Sequence, residues 1–151
     1  MPTVLVIHGP NLNMLGVREP EIYGKTTLTS VNKSLETVAK KANVSIKFFQ
    51  SNYEGEIIDL IQRLYKKVDL IIINPGGLTH TSVSLRDALI AANTPIIEVH
   101  ISNIYAREEF RRKSLISDIA IGTISGFGTK SYVFALMAGI DFLKTNSKQK
   151  K

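Results

Sequence analysis

Five short segments rich in apolar and β-branched residues recur along the chain: Thr3–His8 (TVLVIH), Val44–Phe49 (VSIKFF), Asp69–Asn74 (DLIIIN), Pro95–His100 (PIIEVH) and Ile119–Ile124 (IAIGTI). Several are apolar almost throughout, with no polar alternate face. Strands of that kind need cover on both sides, as parallel strands flanked by helices have. The intervening segments carry a helical period instead. Leu28, Val31, Leu35, Val38 and Ala42 form one stripe, Ile57, Leu60, Ile61 and Leu64 a second, and Leu85, Ala88, Leu89 and Ala92 a third. A fourth helix is predicted from about Tyr132 to Leu143, with Phe134, Met137 and Ala138 facing inward. A short helix is expected over residues 107–113.

Strand and helix in alternation imply right-handed crossovers and a doubly wound α/β sheet. Five parallel strands favour the flavodoxin-like order 2-1-3-4-5, with helices on both faces. At 151 residues the chain fits one domain with its own core. That α/β domain is expected to span residues 1–143, leaving 144–151 (KTNSKQKK) as a basic, disordered tail.

The net charge of +6 raises nucleic acid as a partner, but Lys144, Lys148, Lys150 and Lys151 supply much of it from the tail. Elsewhere aromatic residues do not interleave with basic ones, as stacking platforms would require. Arg18, Arg107, Arg111 and Arg112 lie near predicted strand ends, a placement that suits a small anionic substrate. Without cysteine, neither a disulfide framework nor a thiolate metal site can form. No apolar stretch is long enough to span a membrane, and no signal peptide opens the chain. A cytoplasmic protein without membrane or nucleic-acid partners is expected.

Between the first two strands runs a long polar loop, Gly9 to Leu28, holding Asn11, Asn13, Arg18 and Tyr23. A connection of that length in a compact α/β chain is generally functional or disordered. This one reads as an active-site lid. In open α/β sheets, ligands bind beyond the carboxyl ends of the strands, near the switch in strand order. Those ends carry His8, then Asn74 followed by PGGLTHTS with His80, then Glu98 and His100 followed by ISNIYAREEFR. The polar residues therefore gather where this fold places its site.

Five ordered blocks, GPNLNMLGVREPEIYG, QSNYEGEIID, NPGGLTHTS, EVHISNIYAREEFR and GFGTKSY, resemble type II 3-dehydroquinate dehydratase from about Val4 to Leu143. The resemblance implies a flavodoxin-like fold and loss of water from 3-dehydroquinate through an enolate, with no Schiff base, metal or cofactor. It also implies a dodecamer built from trimers. Tyr23 matches the base. An ordinary tyrosine, with pKa about 10, is only roughly one part in a thousand ionised at neutral pH. Arg18, in the same lid, would favour the phenolate; lowering the pKa by ~2 units takes about 2.7 kcal/mol.

His100 matches the general acid, and Glu98, two residues earlier on the same strand face, would orient it. Asn11 matches a residue holding a water near the enolate oxygen. Asn74 and His80 match substrate-binding positions. Ile101 and Ser102 match a backbone clamp for the substrate carboxylate, Arg111 a hydroxyl contact and Arg107 the pocket wall. Asp87 matches a residue that reaches the neighbouring subunit's site. Gly77 and Leu78 stand where many members have alanine and an aromatic residue, which bears on pocket shape.

Bland readings exist for each: a strand-end histidine with a local hydrogen bond, arginines on a solvated face, Asp87 paired with Arg86. Among rival functions, a flavin- or nucleotide-binding module would want a hydroxyl- and glycine-rich phosphate loop where this chain has Pro10 and Leu12. A phosphorelay receiver fails because Asn74 stands where an aspartate is needed. A metal site of His80, Glu98 and His100 has suitable residue types but no counterpart in the family.

Overall fold

Alternation along each strand decides the layers of this molecule. In β1 (Thr3–His8), Val4 and Val6 enter one apolar cluster while Leu5 and Ile7 enter another. The same division holds in β3 (Leu70–Asn74), where Leu70 and Ile72 oppose Ile71 and Ile73. The computed structural model describes residues 1–17, 19, 21 and 25–149. Together with β2 (Ser45–Gln50), β4 (Ile96–His100) and β5 (Gly122–Ser125), these strands make one parallel sheet in the order β2-β1-β3-β4-β5. This is the order expected from the alternation of elements.

Helices α1 (Leu28–Lys41) and α5 (Lys130–Gln149) cover one face through Val31, Leu35, Ala39, Tyr132, Ala135, Leu136 and Ile140. Helices α2 (Glu54–Leu64) and α4 (Val83–Ala92) cover the other through Ile57, Leu60, Ile61, Leu85 and Leu89. A short helix, α3 (Leu78–Thr81), follows β3. Local chemistry sets the starts of two helices. Thr27 accepts from the Ser30 amide at the head of α1, and Ser82 from the Leu85 amide at the head of α4.

Four local expectations need correction. The last strand begins at Gly122 instead of Ile119, because residues 117–119 form a 3-10 turn. That turn is closed by Ser114, whose hydroxyl accepts from the Ser117 amide. Residues 107–113 hold a 3-10 turn over Glu109–Arg111 instead of a regular helix. The inward face of α5 is Tyr132, Ala135, Leu136, Gly139 and Ile140, whereas Phe134, Met137 and Ala138 are exposed. Tyr132 fixes that rotation by burying its hydroxyl among polar partners, and Gly139 lets the helix come close to Leu70. The helix also continues past Leu143 to Gln149.

Candidate active site

At the carboxyl edge of the sheet, His8 and Asn74 lie side by side in the β1–β3 register, where the strand order reverses. Just beyond, the Gly9 amide donates to the Asn74 carbonyl at 2.8 Å. Asn11 follows in a left-handed conformation (φ 72°), its amide held by the Asn52 side-chain oxygen at 2.9 Å. A non-glycine residue in that region is costly unless its surroundings hold it, and Asn pays least. Gln50 adds a second brace by donating to the Gly9 carbonyl. The turn thus projects Asn11 over a cavity of about 190 Å³. The same cavity is lined by Asn74, His80, His100, Ile101, Ser102, Arg107 and Arg111. Sequence reasoning named all eight.

Glu98 and His100 meet beneath it. His100 Nε2 lies 2.5 Å from Glu98 Oε2, and both side chains are buried. Thr79 donates to the same carboxylate at 2.8 Å, Ser117 at 2.7 Å and Ser114 at 2.8 Å. Burial pushes the Glu98 carboxyl up, but the hydrogen bond and charge of His100, with the Ser117 and Thr79 hydroxyls, outweigh it and hold the group at about 2. An anionic acceptor on Nε2 requires that nitrogen to carry hydrogen, which leaves Nδ1 as the His100 atom for a ligand.

His80 is oriented the same way by a different partner. Its Nδ1 donates to the Lys113 carbonyl at 2.8 Å, so Nε2 is the nitrogen turned to other uses. The His80 and His100 rings stack at 6.5 Å between centroids. Arg107 donates to the Ser102 hydroxyl at 3.3 Å, and Arg111 is paired with Glu108. Beyond β4 the His100 and Ile101 carbonyls accept from the Gly126 and Gly128 amides. Gly126 sits at φ 96° with its α-carbon face against Asn103, a geometry that a side chain would strain.

Asn74 completes the site from the opposite sheet face. Its side-chain oxygen accepts from the Gly76 amide at 3.1 Å and its nitrogen donates to Tyr132 at 3.0 Å. Tyr132 in turn contacts His8 Nδ1 at 2.9 Å, and His8 Nε2 contacts Asn32 at 2.8 Å. Burial pushes the Tyr132 phenol upward.

Arg18 and Tyr23 lie outside the described residues. Asp87 is exposed on α4 and is absent from the cavity wall; its neighbour Arg86 pairs instead with Asp118. Among the described residues no three His, Cys, Asp or Glu side chains form a metal-binding group. A larger recess of about 800 Å³ opens at the amino ends of the strands, between Met1, Tyr65, Asn93 and Phe142. It gathers none of the predicted site residues, and Asp69 in its wall is engaged by the Thr3 amide. Size alone does not make it the site.

Sequence reasoning placed His8 at the strand end without a role and missed Thr79, Ser114, Ser117, Tyr132, Asn32, Gln50 and Asn52. Several fall inside blocks singled out by resemblance, but a hydroxyl or amide shows its use only when a distant partner is known.

The family model described as dehydroquinase class II matches residues 2–140. The 3-dehydroquinate dehydratase of Halothermothrix orenii is 54% identical over 147 residues, covering 97% of this chain and 99% of the relative. That of Endomicrobium trichonymphae is 57% identical over 136 residues, covering 90% and 95%. Among solved structures, the type II dehydroquinase of Butyrivibrio crossotus aligns with a TM-score of 0.89 at 43% identity, covering 93% of this chain and 97% of that one.

Proposed function

The chain belongs to the class II dehydroquinase family and is an enzyme of 3-dehydroquinate dehydration; we propose that it works in the carboxyl-edge cavity, by anti elimination through an enolate. A proton leaves the carbon beside the ketone, and the released electron pair forms the enolate. The enolate then collapses, a carbon–carbon double bond forms, and the hydroxyl departs as water with a proton from the enzyme. The product is 3-dehydroshikimate. No electrons are exchanged with a carrier, so the balance needs no redox cofactor.

Tyr23 is the base and Arg18 the cation that favours its phenolate. His100 is the acid and delivers its proton from Nδ1, because Glu98 occupies Nε2. Ile101 and Ser102 offer backbone amides to the substrate carboxylate, while Asn74, His80 and Arg111 bind its oxygens. Arg107 walls the pocket, and Asn11 positions a water at the enolate oxygen. Asp87 serves a neighbouring subunit's site within a trimer-based dodecamer. The enzyme is cytoplasmic, with neither nucleic acid nor membrane as partner; among the described residues no helix is long and apolar enough to cross a membrane.

One observation carries this reading most directly. A histidine tied to a buried carboxylate stands in the wall of a small cavity whose other polar groups can hold an anionic, hydroxylated ring. The test follows conjugated-enone absorbance when purified protein meets 3-dehydroquinate, with Tyr23→Phe in parallel. Turnover by the parent and loss of at least about a hundredfold in the variant are expected for removal of a general base. Equal rates would take Tyr23 out of that role.

A further inference from the structure

We propose that Tyr132 and His8 are positioning residues that fix which end of the Asn74 amide faces the ligand. The proposal rests on Asn74 being a substrate contact. An asparagine amide has nearly equal ends, and its orientation is decided by what each end meets. At one end stands the Gly76 amide, a backbone donor that cannot reverse, at 3.1 Å from Oδ1. The other end, Nδ2, must therefore find an acceptor, and the Tyr132 hydroxyl at 3.0 Å is the group available.

A tyrosine hydroxyl both donates and accepts, so alone it would tolerate either end. His8 removes that freedom. Once Tyr132 accepts from Asn74, its own hydrogen must go elsewhere, and His8 Nδ1 lies at 2.9 Å. That contact requires a lone pair on Nδ1 and places the imidazole hydrogen on Nε2, which meets Asn32 Oδ1 at 2.8 Å. The chain runs in one direction: Asn74 to Tyr132 to His8 to Asn32. His8, Asn74 and Tyr132 are all buried, so water does not offer substitutes. The second Nδ2 hydrogen is then left for the cavity, as a donor fixed in place before a ligand arrives.

Tyr132→Phe keeps the ring and removes the hydroxyl. With 3-dehydroquinate as substrate, KM is expected to rise about tenfold while kcat changes less than about twofold, the signature of lost ground-state binding. In an Asn74→Ala background the same change should add nothing, because Tyr132 would have no amide left to orient. A parent-like KM in folded Tyr132→Phe, or a full additional rise in the double variant, overturns the proposal. Nitrogen NMR of the His8 ring in ligand-free parent protein gives a reading independent of turnover and of any variant. The Nε2–H tautomer supports the directed chain, and the Nδ1–H tautomer overturns it. Absence of parent turnover would refute the dehydratase reading without touching that spectrum.

Discussion

His8 and Glu98 are both enclosed, and each is held in the charge state its neighbours can accommodate. Burial pushes the His8 imidazole down and the Asn32 hydrogen bond pushes it up, leaving about 4 against an ordinary 6.5. Unfolded chain therefore binds more protons than folded chain between those values, so stability is complete above about 6.5 and falls as pH drops toward 4. The difference is roughly 3 kcal/mol, or about 6–12 °C in Tm for a chain of this size. Glu98 acts in a lower window: its contribution is present above 4.5 and is lost as pH falls toward about 2. Thermal melts from pH 7 to pH 4 should show that decline in the parent and a much flatter one in His8→Gln; parallel slopes would assign the decline elsewhere. The polar ends of the apolar runs marked Asn74, Glu98 and His100 as site residues, because strand end and chemistry are adjacent in sequence. Their supports were not legible in that way. Ser114, Ser117 and Tyr132 reach Glu98 or Asn74 across long stretches of chain, and no local pattern announces such a contact.

At the level of elements, continuous β-branched runs located the first four strands to within a residue at either end. The fifth slipped because its leading residues are drawn into a turn around Ser114 and Ser117. The α5 face was misread because Phe134 and Met137 are as apolar as the true inward residues, yet both stay exposed, Phe134 resting edge-on against Phe127. Junctions between elements carry more constraint than their interiors. A Cβ on Gly9 would stand 2.5 Å from the Pro75 carbonyl oxygen and 2.9 Å from that of Asn74. Both are backbone atoms and cannot rotate away. Gly9→Ala is expected to lose about 1–3 kcal/mol of stability by overpacking, and to lower kcat/KM by displacing the strand end that carries Asn74. A Cβ on Gly55, in the first turn of α2, would meet nothing within 4 Å. Gly55→Ala should gain about 0.4–1 kcal/mol through the unfolded state and leave kcat/KM unchanged. Denaturant titration of the two variants beside the parent checks both signs.

Considered whole, the molecule brings two buried polar networks to one edge from opposite faces of its sheet. Asn74, Tyr132 and His8 arrive beneath α1 and α5, while Glu98 is gripped from the side of α2 and α4 by Thr79, Ser114 and Ser117. Each network ends on a different cavity residue, so the site depends on the sheet as a rigid spacer between them. Asp87 does not belong to either network and faces outward from α4. If it completes a neighbour's site, as proposed, the site is a property of the assembly and two defects should cancel across an interface. Asp87→Ala and His100→Ala subunits, each expected to lose at least about tenfold in kcat/KM alone, are unfolded together and refolded as a mixture. In a closed ring, equal mixing leaves about a quarter of the sites with His100 from one subunit and Asp87 from the next. Activity near a quarter of the parent's, well above either variant refolded alone, is the expected result. A mixture no better than the mean of its parts would return Asp87 to an ordinary exposed carboxylate and confine the chemistry to one chain.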